Sequence, residues 1–392
     1  MGRVVIAGVS TRAAAASAAR AGFAVTALDA FGDLDQHASV TALSLPRDFG
    51  TRYTAHAAAR ASRTIECDAV AYLSSFENHP RAVGRLAAGR ALWGNSPEVL
   101  RRVRDPFLLA ETLRRRGCAT PAIGAIDSFD PRAWMVKPLR SGGGQGVRRW
   151  SARARVPRGC YLQEWIEGRP ASIVFVAARG RAVPLGISYQ LVGEVAFGVS
   201  EYRYCGSIVG VDGEGEQVGV VNAAHRLAQV VADEFRLVGV NGIDFIARDG
   251  TAYAIEVNPR WSSSMELIER AYGVSVFRAH AAACTRGELP SFDLTAARRG
   301  GHAFGKAIVF ARDRADAGDT RSWLTDPTVA DIPRPGERIE QGQPVCTIFA
   351  EADTVTDCHA ALVARAGAIH AAIATNRLSE RARRNTVAGV RS

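Results

Sequence analysis

The sequence has almost no lysine. Of 49 basic residues in a chain of 392, only Lys137 and Lys306 are lysine, so arginine serves nearly wherever a positive charge is needed. A lysine that stands against such a bias is a candidate for a position that needs a compact charge on a flexible stem. Lys137 lies beside a run of glycines, and this placement favours a functional role for it.

Long apolar runs and closely paired cysteines are also absent. No apolar run is long enough to cross a bilayer, and the N-terminal apolar stretch predicts a buried strand, not a signal peptide. The seven cysteines are scattered and contain no C-x-x-C pair, which argues against a disulfide framework and a zinc site. These absences predict a cytoplasmic protein without membrane contact.

The positive charge is dispersed. A net charge of +10 raises the question of a nucleic-acid partner, but the arginines follow the whole chain and form no basic block. A dispersed charge suits the steering of anionic small molecules. We therefore expect small-molecule substrates and no nucleic acid, with a homodimer as the default oligomeric state.

The first hundred residues predict a small parallel α/β unit. Residues 3–29 contain an apolar strand, an alanine-rich helix and a second strand that ends at Asp29, which is the order of a βαβ unit. The turn after the first strand lacks the remaining glycines of the G-x-G-x-x-G pattern, so the sequence only weakly indicates a dinucleotide site. A helical connection starts after Ser96 and stops near Gly117. We expect domains at 1–97, 98–290 and 291–392, the last with a frayed tail.

A glycine-rich loop follows Lys137 in "MVKPLRSGGGQGVRRW", residues 135–150. Backbone N–H groups can approach a phosphate closely where side chains are absent, and Lys137 adds a positive charge. The spacing does not fit the P-loop pattern. Taken alone, a flexible turn is an equally good interpretation. The candidate phosphate-binding residues are Ser141, Gly142, Gly143, Gly144 and Gly146.

Residues 242–260, "GIDFIARDGTAYAIEVNPR", predict a hairpin around an Asp-Gly turn. A three-residue turn would pair Asp244 with Glu256 and place Asn258 on the same face, whereas a two-residue turn would put Asp244 on the opposite face. Two carboxylates and an amide oxygen on one face suit Mg²⁺. The alternative is an exposed polar face, but a buried carboxylate without a partner is costly, which favours the metal.

Four motifs in a fixed order carry a resemblance to a known family. A helix ending in G-x-x-x-P, "VKP" with the glycine loop, "QEWIEG" and "DF…DG…EVNPR" together resemble the ATP-grasp superfamily over residues 100–285. The resemblance implies an α/β protein: an α+β ATP-grasp domain, a Rossmann-like pre-ATP-grasp domain before it, a small C-terminal α/β domain after it, and a lid at about 118–165. The whole chain is similar to predicted carboxylate–amine ligases linked to methanopterin-type and methanofuran-type cofactors.

The resemblance implies ATP and Mg²⁺, or Mn²⁺ in its place, as cofactors. Lys137 would contact the α- and β-phosphates, the glycine loop would close over the β- and γ-phosphates, and Arg260 would stabilise the transferred phosphoryl group and the acyl phosphate. The other implied contacts are to adenine and ribose for Gln163, Trp165, Ile166 and Glu167, and to the metal for Asp244, Glu256 and Asn258.

Three positions depart from the family pattern. A ribose-binding acid often stands where this chain has Pro170, so Glu167 is the candidate in its place. Many members carry a lysine where this chain has Pro106, and Arg102 or Arg104 would substitute for it. Ser264 stands where biotin carboxylases place a glutamate base, which disfavours a carboxylase.

The resulting functional expectation is an ATP-dependent carboxylate–amine ligase. It would form an amide through an acyl phosphate and release ADP and phosphate, with glutamate ligation in one-carbon cofactor biosynthesis as the specific case. The alternatives are a biotin-carboxylase-like enzyme that activates bicarbonate and a catalytically silent nucleotide-binding protein. Substrate contacts are expected from Arg12, Asp29 and Glu77 in the first domain and from Arg203 in the second.

Overall fold

A computed structural model describes residues 2–124, 133–151, 154–210, 216–298 and 301–389 of the protein. Within these ranges no helix combines the length and the apolar character that a bilayer-spanning segment needs. The predicted βαβ opening is present, and its elements belong to a five-stranded sheet. The elements of this first region are β1 (Arg3–Ala7), α1 (Arg12–Arg20), β2 (Ala24–Asp29), β3 (Val40–Ser44), α2 (Leu45–Phe49), α3 (Ala55–Ala61), β4 (Ala69–Tyr72), α4 (Pro80–Leu86) and β5 (Ala91–Trp93).

The first sheet is parallel, with the strand order β3-β2-β1-β4-β5. Val4, Val5 and Ile6 of the central strand are fully buried, because helices cover both faces of the sheet, as is typical of parallel sheets. The carboxyl ends of β1, β2 and β4 meet at one edge. Loops at that edge of an open parallel sheet are where ligands bind in doubly wound folds.

The predicted helical connection consists of two helices. These are α5 (Pro97–Val103), capped by Ser96 as expected, and α6 (Pro106–Arg115). Pro106 cannot continue a helix, and the Asp105 carboxylate caps the second helix by accepting from the N–H groups of Phe107 and Leu108. Arg104 therefore follows α5 directly, in the short break before α6.

A small four-stranded sheet contains the glycine loop. Its strands are β6 (Ile123–Gly124), β7 (Trp134–Pro138), β8 (Arg148–Arg149) and β9 (Cys160–Glu164), in the order β6-β9-β7-β8. This sheet coincides with the segment 118–165 that the family resemblance implies is a lid. Residues 125–132 and 152–153 of that segment lie outside the described residues.

An eight-stranded sheet in the order β14-β13-β10-β11-β12-β15-β19-β17 organises the rest of the chain. The expected C-terminal domain shares this sheet with the grasp strands, since β12 pairs with β15. The elements are β10 (Arg169–Ala178), β11 (Arg181–Val192), β12 (Tyr204–Val209), α7 (Glu216–Phe235), β13 (Gly239–Arg248), β14 (Thr251–Asn258), α8 (Ser263–Tyr272), α9 (Val276–Arg286), α10 (Leu294–Ala297), β15 (Ala303–Phe310), β16 (Ala315–Asp316), β17 (Val329–Ala330), β18 (Arg338–Ile339), β19 (Pro344–Ala352) and α11 (Val355–Gly389).

Helix α7 covers one face of this sheet. Its buried residues Ala224, Leu227 and Val231 recur at helical spacing and pack with Ile173 and Phe175 of β10. The last helix, α11, extends to Gly389 and so includes most of the segment that was expected to be frayed.

A buried ionic cluster joins the three regions of the chain. Arg12 of α1 is 6% exposed and contacts Glu266 of α8 at 2.8 Å and Asp331 of the C-terminal region at 2.8 Å. Lys306 of β15 contacts Glu266 at 2.7 Å. Burial raises the pKa of Glu266, but the charges of Arg12 and Lys306 outweigh burial and hold its pKa well below the usual range. The second lysine of the chain therefore has a structural partner.

Replacing Glu266 with leucine is expected to lower the free energy of unfolding by about 3–5 kcal/mol, because Arg12 and Lys306 would stay buried without their shared partner. Since the folded-state pKa of Glu266 is lowered, its contribution is complete above its unfolded pKa of about 4.3 and is lost as the pH falls. Because the loss develops only below the unfolded pKa, denaturant titrations at pH 7 and at about pH 3 measure both effects. Glu66→Leu, at a side chain that is 84% exposed, is the control and should change stability by less than about 0.5 kcal/mol.

Candidate active site

The hairpin of β13 and β14 brings the predicted metal ligands together. Asp244 pairs with Glu256, and Asn258, two residues further along β14, pairs with Gly242. The turn contains two residues, since Arg248 pairs with Thr251, and is therefore the shorter of the two alternatives that the sequence left open. A β-bulge between the pairs Asp244–Glu256 and Phe245–Ala254 supplies the extra residue. The bulge restores the register that the shorter turn would have removed.

The two carboxylates have different electrostatic surroundings. Burial, followed by the negative charge of Glu256, raises the pKa of Asp244 to about 7. Burial also raises the pKa of Glu256, but the positive charges of Arg104 and Lys137 outweigh burial, and its net pKa lies below the usual value. Asp244 accepts hydrogen bonds from Gln190 at 2.9 Å and from Asn258 at 2.9 Å.

This donor set fits Mg²⁺. Two half-buried carboxylates that repel each other would both be stabilised by a divalent cation, and Mg²⁺ binds through one or two carboxylates and completes its shell with water and phosphate oxygens. The described part of the chain contains no group of three His, Cys, Asp or Glu side chains arranged to hold a metal. The remaining ligands would thus include the Asn258 oxygen or groups of a bound nucleotide.

Lys137 lies in the same electrostatic environment as the carboxylate pair. Burial lowers its pKa, although the charges of Glu256 and Asp244 act in the opposite direction. Its Nζ donates to Gln163 Oε1 at 3.0 Å, and Gln163 Nε2 donates to the carbonyl of Ile255, next to Glu256, at 3.3 Å. Gln163 therefore links the small sheet to the hairpin. The contact between Gln163 and adenine that the family resemblance implies stays a prediction.

Of the two arginines expected to substitute for the missing lysine, Arg104 lies at the site and Arg102 does not. Arg104 Nη1 donates to Glu256 Oε2 at 3.3 Å, and its Nη2 donates to the carbonyl of Ser141 in the glycine loop at 3.4 Å. Arg102 instead donates to the carbonyl of Glu234 at 3.4 Å on a distant helix. Arg104 thus connects the loop with the hairpin, on the side where Pro106 removes the family's usual lysine.

The glycine loop packs against residues 202–204, where β12 begins. The Gly143 carbonyl accepts from the Tyr204 N–H at 3.1 Å. Gly144 has a φ of +76°, and a Cβ at this position would overlap the carbonyl oxygen of Tyr202. At Gly142, by contrast, a Cβ would meet no atom within 4 Å. Gly144 is the position where the absence of a side chain permits the contact.

The residues assigned to adenine and ribose follow β9. Trp165 is 36% exposed, the Arg149 guanidinium lies 3.7 Å from its ring centre, and the Tyr202 ring contacts it edge-on at 5.9 Å. Ile166 is buried, whereas Glu167 is exposed. Their contacts with a nucleotide stay predictions.

Arg260 lies between the hairpin and the first domain. Its Nε and Nη2 donate to Glu77 Oε1 at 3.0 and 2.7 Å, and Glu77 is 2% exposed. Burial lowers the pKa of Arg260, but the charge of Glu77 outweighs it, so the guanidinium stays protonated. The structure thus pairs a predicted substrate residue, Glu77, with the predicted catalytic arginine.

The other predicted substrate residues have structural partners. Asp29 is 1% exposed and accepts from Thr11 Oγ1 at 2.7 Å and from the Gly32 N–H at 2.8 Å. Arg203 donates to the carbonyl of Gly342 at 2.9 Å, and Arg12 belongs to the ionic cluster described above. Substrate contact by these three residues stays a prediction.

Two site residues were missed in the sequence. Gln190 of β11 donates to Asp244, and Asn78 donates to the carbonyl of Ser141 at 3.2 Å. Neither belongs to a motif, and each reaches the site from an element far away in the chain. No sequence signal could have found them.

Comparisons with known proteins agree with this geometry. Residues 103–264 match the family model described as an ATP-grasp domain. The carbamoyl phosphate synthase large chain of Deinococcus deserti is 27% identical over 205 residues, which are 47% of this chain and 20% of that protein. This chain therefore spans a small part of the curated relative's length.

Two solved structures resemble the whole chain. An L-amino acid ligase from Bacillus licheniformis has a TM-score of 0.66 at 16% identity, covering 94% of this chain and 97% of that one. The biotin carboxylase domain of the Hydrogenobacter thermophilus 2-oxoglutarate carboxylase, determined with MgADP and bicarbonate, has a TM-score of 0.65 at 15% identity, covering 90% and 86%. At these identities the likeness establishes a shared fold.

Proposed function

Because residues 103–264 form an ATP-grasp domain, we propose that this chain is an ATP-dependent carboxylate–amine ligase that uses Mg²⁺. The observation that carries the proposal is the half-buried Asp244–Glu256 pair, which contacts Arg104 at 3.3 Å and lies within reach of the charges of Lys137 and Arg260. Opposite charges are thereby held around one space, as phosphoryl transfer requires.

The proposed reaction has two steps. A carboxylate oxygen of the acid attacks the γ-phosphorus, and the bond to the β–γ bridging oxygen breaks with its electron pair on ADP. The amine nitrogen then adds to the acyl carbon, the carbon–oxygen bond to phosphate breaks, and the amine loses a proton. Amide, ADP and phosphate are released.

The residues have separate parts in this reaction. Lys137 and the glycine loop bind and orient the phosphates, and Arg260, held by Glu77, neutralises the charge on the transferred group. Mg²⁺, held by Asp244, Glu256 and Asn258, would shield the phosphate oxygens from the attacking carboxylate. The packed loop excludes water that would otherwise hydrolyse the acyl phosphate.

The finer proposal is that an amino acid such as glutamate is the amine, in one-carbon cofactor biosynthesis, in a cytoplasmic homodimer. The similarity in fold to an L-amino acid ligase supports an amino-acid substrate. The dispersed positive charge fits an anionic acid and ATP.

A carboxylase is the second candidate, because a biotin carboxylase domain has nearly the same overall similarity. Bicarbonate would then take the place of the acid in the first step. Ser264, which is buried, occupies the position where the family resemblance implies a glutamate base for carboxylases. This residue cannot accept a proton at neutral pH, and we therefore favour the ligase.

ADP release with Mg-ATP tests the proposal across a panel of carboxylic acids, with and without amines, and with bicarbonate alone. Hydroxylamine replaces the amine in a parallel assay, because it converts an acyl phosphate to a hydroxamate. We expect acid-dependent hydroxamate and turnover that needs acid and amine together. Asp244→Asn should abolish both, whereas Asp249→Asn, on an exposed turn of the same hairpin, should not. Turnover with bicarbonate alone would favour the carboxylase, and no turnover with any acid would contradict the proposal.

A further inference from the structure

Buried polar atoms without a partner are concentrated in the first domain. Within the described residues, Asp33 Oδ2, both amide atoms of Gln36, and Glu77 Oε2 are buried and make no hydrogen bond. Asp33 is 6% exposed and Glu77 is 2% exposed. Buried polar groups in folded proteins are nearly always hydrogen-bonded, so unpaired atoms in one neighbourhood indicate that a ligand completes them.

The topology places these residues at one edge of the parallel sheet. Asp33 and Gln36 lie in the connection between β2 and β3, and Glu77 follows β4, while β1 runs between β2 and β4. Tyr53 connects the two parts of this edge, since the charges of both Glu77 and Asp29 act on its hydroxyl. Burial, followed by these two negative charges, raises the pKa of Tyr53. This is the edge where open parallel sheets bind ligands.

The charge at this edge is negative. Burial and then the charges of Asp331, Asp29 and Asp35 raise the pKa of Asp33, and the guanidinium of Arg12 offsets them only in part. Arg12 is already shared by Asp331, Glu266 and Asp35. A cation would therefore be stabilised beside Asp33, whereas an anion would be repelled.

The edge is also connected to the catalytic arginine. Glu77 Oε1 accepts a hydrogen bond from Arg260, whereas Glu77 Oε2 makes no hydrogen bond. The Glu77 carboxylate therefore lies between the proposed phosphoryl-transfer site and the unpaired atoms of the first domain. A substrate bound there would lie beside the acyl phosphate that Arg260 is proposed to stabilise.

We propose that the amine substrate binds at this edge as an ammonium ion, with its positive charge against Asp33 and with Gln36 and Glu77 as further hydrogen-bond partners. The substrate class is a primary amine that is protonated in solution, such as an amino acid. The catalytic meaning of the site rests on the proposed ligase function, but binding itself does not. A carboxylate in this position accepts the ammonium proton, which frees the nitrogen lone pair for attack on the acyl carbon.

Thermal unfolding of the full chain tests the binding. The probes are the twenty L-amino acids and their N-acetyl derivatives, which keep the carboxylate but lose the positive charge. We expect one or more amino acids to raise Tm, and their N-acetyl derivatives not to do so. In Asp33→Asn the apparent dissociation constant should rise about tenfold or more, because a charge-assisted hydrogen bond is lost. Asp353→Asn, at a side chain that is 91% exposed, should bind as the wild type does.

Two measurements keep the result interpretable. Asp33→Asn is expected to unfold at the same or a higher temperature without ligand, since it removes a repelled buried charge; this shows that the variant is folded. The rise in Tm that Mg-ATP causes should also persist in it, because Asp33 has no part in the proposed nucleotide site. Equal Tm shifts with the N-acetyl derivatives, equal binding by Asp33→Asn, or no shift with any amino acid would overturn the proposal. If amino acids bind only when they carry the ammonium group, but the wild type forms no hydroxamate with any acid, the binding site stands and the proposed ligase function is wrong.

Discussion

Replacing Arg260 with lysine is expected to lower kcat for ADP release about 10³-fold, with little change in the affinity for Mg-ATP. The guanidinium binds Glu77 through two nitrogens, which fixes its plane next to the hairpin. Lysine keeps the positive charge that Glu77 requires but not the two-point geometry. Arginines that neutralise a transferred phosphoryl group contribute effects of this size.

The measurement is steady-state ADP release together with calorimetric titration of Mg-ATP. Arg20→Lys is the matched control, because Arg20 also pairs with a glutamate, Glu269, but its side chain is 55% exposed. Thermal unfolding should be similar for both variants. A fall of less than tenfold in kcat for Arg260→Lys would remove Arg260 from the catalytic group and leave it a structural partner of Glu77.

The parts of the fold that depend on local pattern could be predicted from the sequence. The βαβ opening and the hairpin strands follow from apolar periodicity and turn residues. The pairing of Asp244 with Glu256 was one of two alternatives that the sequence left open, because the register depends on the length of the turn. The bulge that produces this pairing has no sequence signature, because Ile255, the extra residue of β14, looks like any other apolar strand residue in the sequence.

The parts that depend on distant contacts could not be predicted. In the sequence, Pro106 indicates only that the family's usual lysine is missing. In the structure it begins a second helix, and Arg104, just before it, contacts Glu256. Gln190 lies 54 positions from its partner Asp244, and Arg12 lies 254 positions from Glu266. Charged residues at such separations look like ordinary surface residues in a sequence, so burial is the property that reveals their partners.

Replacing Gly144 with alanine is expected to lower kcat/KM for ATP about 100-fold. A Cβ at Gly144 would overlap the Tyr202 carbonyl oxygen, and the φ of +76° is one that alanine rarely adopts. The loop would have to move away from residues 202–204, and a displacement of about 1 Å in a phosphate-positioning group costs roughly this much in rate. Steady-state ADP release at varied ATP measures the effect.

Gly367→Ala is the control that separates position from composition. It makes the same chemical change in helix α11, where a Cβ meets nothing within 4 Å, and should retain activity within about threefold of the wild type. If the loop were only a flexible turn, both variants would behave alike, because neither contact would matter for catalysis. A loss confined to Gly144→Ala would mean that the loop acts in its packed position, where Arg104 and Tyr204 hold it next to the carboxylate pair.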